Sequence, residues 1–343
     1  VGRAFFDSDA DLAYLAGRTV AILGYGNQGR AQALNLRDSG ITVVVGNQRD
    51  ASFERAVADG FPAYSVSDAV RLADVVVLLV PDEVMPALFQ EAVLPHLQED
   101  NLLIVASGYN LFFRLVTPPP AIDVAMVAPR MIGTGVRDTY VRGEGFPSLI
   151  SVEQDHSGQA FDRTLAYARA IGSTRAGVWL SSAEEETVCD LFNEHFGYVY
   201  ALRCAYEVLT EAGYSPEAAL LEFYVSGEEM ELARAHAHMG LFHQLTLHSQ
   251  TSQYGQLVTG RPSPELEQSE KRRLHGLIEN IRSGRFARDW ALEQQAGLPV
   301  FRRAQQEGLS HPMIEEERKL FEALKRRQGD PDALLPPESA GDQ

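Results

Sequence analysis

The stretch Thr19-Val20-Ala21-Ile22-Leu23-Gly24-Tyr25-Gly26-Asn27-Gln28-Gly29 carries the decisive reading of this chain. A short β-branched run leads into a glycine-spaced loop, and a helical pattern from Gln28 to Ser39 follows. Strand, G-x-G-x-x-G and helix in that order form a dinucleotide cradle. Gly24 permits the tight turn, Gly26 admits a pyrophosphate against the backbone, and Gly29 lets strand and helix pack closely. The free N–H groups and partial positive charge of the helix N-terminus favour phosphate there. Gly24, Tyr25, Gly26, Asn27, Gln28 and Gly29 are therefore the expected cofactor loop.

Outward from this loop, apolar runs recur at Ile41–Val45, Val75–Val80, Leu102–Val105, Val124–Val127 and Leu149–Val152. Near-continuous runs suit strands buried on both faces of a parallel sheet. Helical stretches such as Ser52–Asp59 separate the early ones, and this alternation predicts an α/β doubly wound sheet. The strand signal stops near Ser182. Helical patterns follow over Ala183–Glu211, Pro216–Met239, Pro264–Arg282 and Phe286–Gln295. The second part is expected to be all-α and to bury an apolar face against another subunit. The expected domains are 1–181 for nucleotide binding and 182–328 for the helices, with 329–343 a disordered tail rich in Pro, Asp and Gly.

A chain of 343 residues, 45% hydrophobic and 22% charged, is long enough for two cores. Its formal charge of -17 repels phosphate backbones, which sets nucleic acid aside as a partner. An acidic substrate then needs a local cation or metal. No run approaches the ~20 apolar residues of a membrane span. The two cysteines, Cys189 and Cys204, read as free thiols. The N-terminal stretch lacks a secretory pattern, and the expected location is cytoplasmic. At the end of the second strand the chain reads Gly46-Asn47-Gln48-Arg49-Asp50-Ala51-Ser52. Arg49 can pair with the 2′-phosphate of NADPH and Ser52 can donate to it. Asp50 opposes this, since a carboxylate weakens phosphate binding.

The longer segment GYGNQGRAQALNLRDSG resembles the fingerprint of the ketol-acid reductoisomerase family. The likeness continues at Val80-Pro81-Asp82-Glu83-Val84, Ser107-Gly108-Tyr109-Asn110, Val127-Ala128-Pro129-Arg130, Ala168–Val178, Asp190-Leu191-Phe192-Asn193-Glu194 and Gly284–Trp290. It implies a Rossmann domain followed by a knotted helical domain, in a homodimer whose subunits share active sites. It implies NADPH and Mg²⁺ as cofactors, a small-molecule carbonyl substrate, and a place in branched-chain amino acid biosynthesis. The family reaction is an alkyl migration in a 2-acetohydroxy acid followed by hydride reduction.

Carried over residue by residue, the resemblance makes Asp190 and Glu194 ligands of a first metal. Four apart on a helix, they share one face, and two carboxylates suit a hard cation. The family's two later glutamates fall on Glu222 and Ser226. A serine is a poor metal ligand, so one site is expected and the second is incomplete. Ser107 replaces the family's histidine, and Arg130 replaces its lysine, keeping the charge but not the acid–base chemistry. Ser249 falls on the substrate serine. Pro81 and Asp82 stand at the strand end beside the cofactor. His195 replaces a glutamine, and either donates a proton or packs. His236, His238, His243 and His248 read as surface histidines, with an added acid–base group as the alternative.

The leading expectation is an NADPH-dependent reductase of 2-keto or hydroxy-keto acids, or of a related carbonyl or imine, on this scaffold with altered catalytic positions. Full Mg²⁺-dependent reductoisomerase activity is the close alternative. A non-catalytic NADPH sensor is the alternative of another class, and a plain 2-hydroxyacid dehydrogenase lacks its expected Arg and His arrangement.

Overall fold

The computed structural model describes residues 3–326, so the tail expected at 329–343 lies outside the described residues. The chain divides into two compact units, Val1–Leu191 and Phe192–Gln343.

The first unit is built on nine strands: β1 (Ala4–Phe5), β2 (Thr19–Leu23), β3 (Thr42–Gly46), β4 (Ala63–Tyr64), β5 (Val75–Leu78), β6 (Leu102–Val105), β7 (Asp123–Pro129), β8 (Ser148–Gln154) and β9 (Val178–Leu180). Their order in the sheet is β1-β9-β8-β7-β6-β5-β2-β3-β4. From β4 to β7 every pairing is parallel. β2 lies between β3 and β5, so the winding reverses beside β2, the place where α/β sheets bind ligands.

Alternation along each strand builds two cores. Val20, Ile22, Val45, Val75, Val77, Ile104 and Val127 face one side, where helix α1 (Asn27–Asp38) and the helix Ala160–Ala170 cover them. Ala21, Leu23, Val44, Val76, Leu78, Leu103 and Met126 face the other, under Val66, Ala69 and Val70 of the helix Val66–Leu72. Each fully buried Val, Leu or Ile contributes about 1.5–3 kcal/mol. At the base of β7, buried Arg163 pairs with Asp123 at 2.8 Å. Asp123 also accepts the backbone N–H groups of His156 and Ser157.

Two features differ from the sequence reading. β8 runs antiparallel to β7, and only some of its residues are fully buried, which a run of four apolar-looking residues does not reveal. β1, β4 and β9 have two or three residues each, too few to make a periodic signal.

The second unit is helical. The pattern read over Ala183–Glu211 breaks at Gly197, whose φ of 100° ends one helix (Ala183–His195) and precedes the next (Tyr198–Glu211). Pro216–Met239 breaks likewise at Gly227. The helix Pro264–Arg282 has the bounds expected. Two helices not singled out in the sequence, Pro299–Leu309 and Pro312–Ala323, open on prolines that suit a first turn. The buried apolar cluster here is small: Tyr206, Ala219, Leu220, Val225 and Leu320.

Candidate active site

The glycine loop leaves β2 beside β5. Gly24 has φ 95°, and a Cβ there would lie 2.7 Å from the Leu79 carbonyl oxygen. At Gly29 a Cβ would lie 1.9 Å from the Gly24 carbonyl oxygen. Both glycines are demanded by the protein's own packing. Gly26 differs, because nothing lies within 4 Å of a Cβ built on it. Its open side, at the N-terminus of α1, is a cradle a ligand can fill. The Tyr25 and Gln28 side chains between the glycines are engaged elsewhere. Tyr25 is buried, donates its hydroxyl to Asp59 at 2.8 Å and meets Phe61 edge-on. Burial, then Asp59, pushes its phenol far above the ordinary range. Tyr25 therefore has only its backbone to offer a ligand. Gln28 Nε2 donates to the Met131 carbonyl at 2.9 Å, tying the loop to the segment after β7.

At the end of β3, Asp50 caps the helix Ala51–Ala58. Its Oδ1 accepts from Ser52 N at 2.9 Å, Phe53 N at 3.0 Å and Asn47 Nδ2 at 2.8 Å. The Arg49 guanidinium lies over the Phe53 ring, 5.5 Å from its centroid. A cavity of about 570 Å³ opens here, lined among others by Asn47, Arg49, Phe53, Tyr64 and Ser65.

Further along the sheet, polar groups gather at the carboxyl ends of β5, β6 and β7. Asn110 Nδ2 donates to Asp82 Oδ1 at 2.8 Å and to the Asp82 carbonyl at 3.2 Å. Burial raises the Asp82 carboxyl to about 6, aided by Glu186, Glu83 and Asp190 and opposed by Asn110. Ser107 Oγ accepts the Tyr109 N–H at 3.3 Å. Gly108 N donates to Glu186 Oε2 at 2.8 Å. A Cβ at Gly108 would lie 2.4 Å from the Ala183 carbonyl oxygen, so the turn after β6 and the start of the helix Ala183–His195 are in close contact. Arg130 closes the cluster: its Nη2 donates to Glu186 Oε1 at 2.6 Å and its Nη1 to Asp190 Oδ1 at 3.0 Å. Burial raises the Glu186 carboxyl, and Gly108 and Arg130 oppose the rise.

In the sequence Glu186 stands out only as part of the family-like stretch Glu185-Glu186-Thr187 before Asp190, with no role of its own. It ends the run Glu184-Glu185-Glu186, which resembles a solvated first turn, yet it is 1% exposed. The available signal was its spacing of one helical turn before Asp190.

In the second unit, Glu194 is exposed near the end of that helix, and Glu222 lies in the π-helical segment Leu221–Val225. The Ser226 hydroxyl accepts the Glu228 N–H at 3.3 Å. Ser249 caps the helix Gln250–Tyr254 through Ser252 N. His195 packs edge-on against Phe286, with centroids 4.6 Å apart, and burial lowers its pKa. His236, His238 and His243 are exposed, while His248 Nε2 meets Gln244 Oε1 at 3.0 Å. Among the described residues no three His, Cys, Asp or Glu side chains form a metal cluster, and no helix is long and apolar enough to cross a membrane.

A strand order that reverses beside β2, an open glycine cradle there, and polar groups at the strand ends define a dinucleotide-binding protein of the doubly wound class. The comparisons narrow the class. Residues 14–177 match the acetohydroxy acid isomeroreductase NADPH-binding domain, and residues 183–326 match the ketol-acid reductoisomerase C-terminal domain. A Saccharolobus solfataricus protein named as a ketol-acid reductoisomerase is 43% identical over 331 residues, 94% of this chain and 98% of the relative. The ketol-acid reductoisomerase (NADP(+)) of Pyrobaculum aerophilum is 40% identical, over 94% of this chain and 99% of the relative. A solved NADH-preferring ketol-acid reductoisomerase from an uncultured archean superposes with a TM-score of 0.85 at 35% identity, covering 93% of this chain and 99% of that one. The chain belongs to the ketol-acid reductoisomerase family and is an NADP-dependent oxidoreductase, in a family that uses NADPH and Mg²⁺.

Proposed function

We propose that this chain carries out the full ketol-acid reductoisomerase reaction, alkyl migration and then reduction of a 2-acetohydroxy acid. The carrying observation is the Asp190 carboxylate, held by Arg130 at the strand ends of the unit that bears the glycine loop. The extent and identity of the family match favour this reading over reduction alone, the leading expectation from Ser107 and Ser226.

In this reading NADPH lies along the loop Gly24–Gly29, with its pyrophosphate on the open side of Gly26. Tyr25 and Asn27 contribute backbone, and Gln28 braces the loop. Arg49 and Ser52 would meet the 2′-phosphate, while Pro81 and Asp82 would border the nicotinamide half. Asp190, Glu194 and Glu222 are the carboxylates that would hold Mg²⁺, a set that does not form a cluster among the described residues. When bound, the ion would supply the Lewis acidity that migration needs. Arg130 keeps a positive charge beside Asp190 and Glu186 against the acidic field of the chain. Ser107 supplies a hydroxyl in place of an imidazole, and Ser249 orients the substrate. His195 acts by packing on Phe286. We place the end of the cofactor domain near 181, with the helical domain following it, although the two compact units divide at Leu191.

The helical unit exposes Phe196, Tyr198, Val199, Tyr200, Phe242 and Tyr254, with Val199 76% exposed. Exposed aromatics over a small core favour a homodimer in which this surface is covered.

The test follows NADPH oxidation, with and without Mg²⁺, on 2-acetolactate and on its rearranged product 3-hydroxy-3-methyl-2-oxobutanoate. Turnover of both is expected. Turnover of the second alone restores the reduction-only reading, and NADPH binding without turnover of either points to a sensor.

A further inference from the structure

At the end of the sheet opposite the glycine loop, the first unit holds a second polar cavity. Arg18 directly precedes β2, Asp100 stands just before β6, and Ser157 and Gln159 precede the helix Ala160–Ala170. With Arg163 of that helix they line a cavity of about 270 Å³, all within the unit Val1–Leu191. Arg163 is 1% exposed and firmly held. Its Nη1 donates to Asp123 Oδ2 at 2.8 Å and to the Asp100 carbonyl at 3.0 Å, and its Nη2 to the Asp74 carbonyl at 3.4 Å. Its Nε–H is buried and has no partner among the described residues. A buried donor left unpaired is unfavourable, more so on a charged group. Asp123 is already committed, since it also accepts from His156 N, Ser157 N and Ser157 Oγ. Arg18 gives its Nε–H to the Tyr14 carbonyl at 3.1 Å, which leaves the two terminal nitrogens for another acceptor. Burial first, then the Arg18 charge, disfavours the charged form of Arg163, and Asp123 and Asp100 oppose this. Two guanidinium groups that repel each other across one cavity are both stabilised by a shared anion. Asp100 is the opposing carboxylate, but its side chain is 68% exposed and lies 3.7 Å from His156 Nε2, so solvent screens it. The volume falls below the ~300 Å³ at which pockets for drug-sized ligands begin, so the occupant is small.

We propose that Arg18 and Arg163 form a binding site for one small tetrahedral oxyanion, of the inorganic phosphate or sulfate class, at the base of the sheet. The anion takes the terminal N–H groups of Arg18 and the unpaired Nε–H of Arg163. The Gln159 amide, which does not cap its helix, completes the shell. The site is separate from the cofactor loop, because β2 runs from Arg18 at one end to Gly24 at the other. Occupancy therefore stabilises the nucleotide-binding unit by mass action without competing with NADPH. The proposal stands apart from the choice between full reaction and reduction alone.

The test is equilibrium dialysis of radiolabelled inorganic phosphate against the full chain saturated with NADP⁺, which keeps the glycine loop filled. Wild type is expected to bind one phosphate per chain with a dissociation constant of about 1 mM or tighter, and sulfate is expected to displace it. Arg18→Gln is expected to weaken binding about 10- to 150-fold, the loss of one charge-assisted hydrogen bond. Asp100→Asn is expected to tighten it by up to about 5-fold through removal of a like charge. Asparagine accepts the left-handed backbone at that position, where φ is 65°. No saturable binding by wild type up to about 10 mM phosphate would overturn the proposal and leave the cavity to water. Binding that neither substitution alters would place the phosphate elsewhere and overturn it equally. Wild type and Asp100→Asn decide the matter even if Arg18→Gln does not fold.

Discussion

Substituting Gly26 by alanine separates what the glycine loop does for the protein from what it does for a ligand. Gly26 has φ -79°, a value alanine adopts without strain. A methyl group there meets no protein atom within 4 Å. Stability should therefore stay within about 0.5 kcal/mol of wild type, or rise by roughly 0.4–1 kcal/mol through a less flexible unfolded chain. The same methyl would occupy the space through which a pyrophosphate reaches the N–H groups of α1. Losing one charge-assisted hydrogen bond costs about 1.5–3 kcal/mol, which is about a 10- to 150-fold rise in the dissociation constant. Urea denaturation of the cofactor-free protein and fluorescence titration with NADPH measure the two effects side by side. Gly29→Ala is the contrasting control, since its Cβ would lie 1.9 Å from Gly24 O and must disturb the fold itself. If Gly26→Ala bound NADPH as wild type does, the pyrophosphate would not lie on this side of the loop and the assignment would fail.

Asp50 occupies the N–H groups of Ser52 and Phe53 with a negative charge. Asp50→Ser, which retains a cap, should raise the ratio of NADPH to NADH affinity by about 3- to 10-fold; an unchanged ratio in paired titrations would show that the phosphate binds elsewhere. Asp82 is raised to about 6 in the fold, so its ionised form opposes folding. That penalty is absent below the unfolded pKa near 4, grows between about pH 4 and 6 and is complete above. Asp82→Asn should accordingly stabilise the cofactor-free protein by about 1–3 kcal/mol more at pH 8 than at pH 4, and equal effects at both pH values in denaturant melts would refute the shift. Asp123→Asn breaks a fully buried pair with Arg163 and should cost about 3–5 kcal/mol in the same melts. A loss below 1 kcal/mol would mean that Arg163 is satisfied by the Asp100 and Asp74 carbonyls alone.

What the sequence made legible follows from how many residues each feature spends. The strands β2, β5 and β6 are short apolar runs bounded by turns, and the glycine loop adds a fixed spacing, so fold class and cofactor loop could be read together. β1 and β4 spend two residues each and exist only because a neighbouring strand offers an edge. Helix breaks at Gly197 and Gly227 depend on left-handed backbone at single glycines inside continuous helical patterns. The site divides along the same line. Asp190 was readable because its motif is local. The partnership of Arg130 with Glu186 joins residues 56 apart in sequence, and burial, with its place one turn before Asp190, distinguishes Glu186 from Glu184 and Glu185 beside it. Charge at position 130 was visible, but the use of both guanidinium arms was not. The physical consequence bears on how substitutions at this site are judged. A lysine-to-arginine exchange that looks conservative replaces a mobile point charge with a fork bound at both ends. Its effect on activity must therefore be measured with Glu186 and Asp190 intact, not inferred from the charge alone.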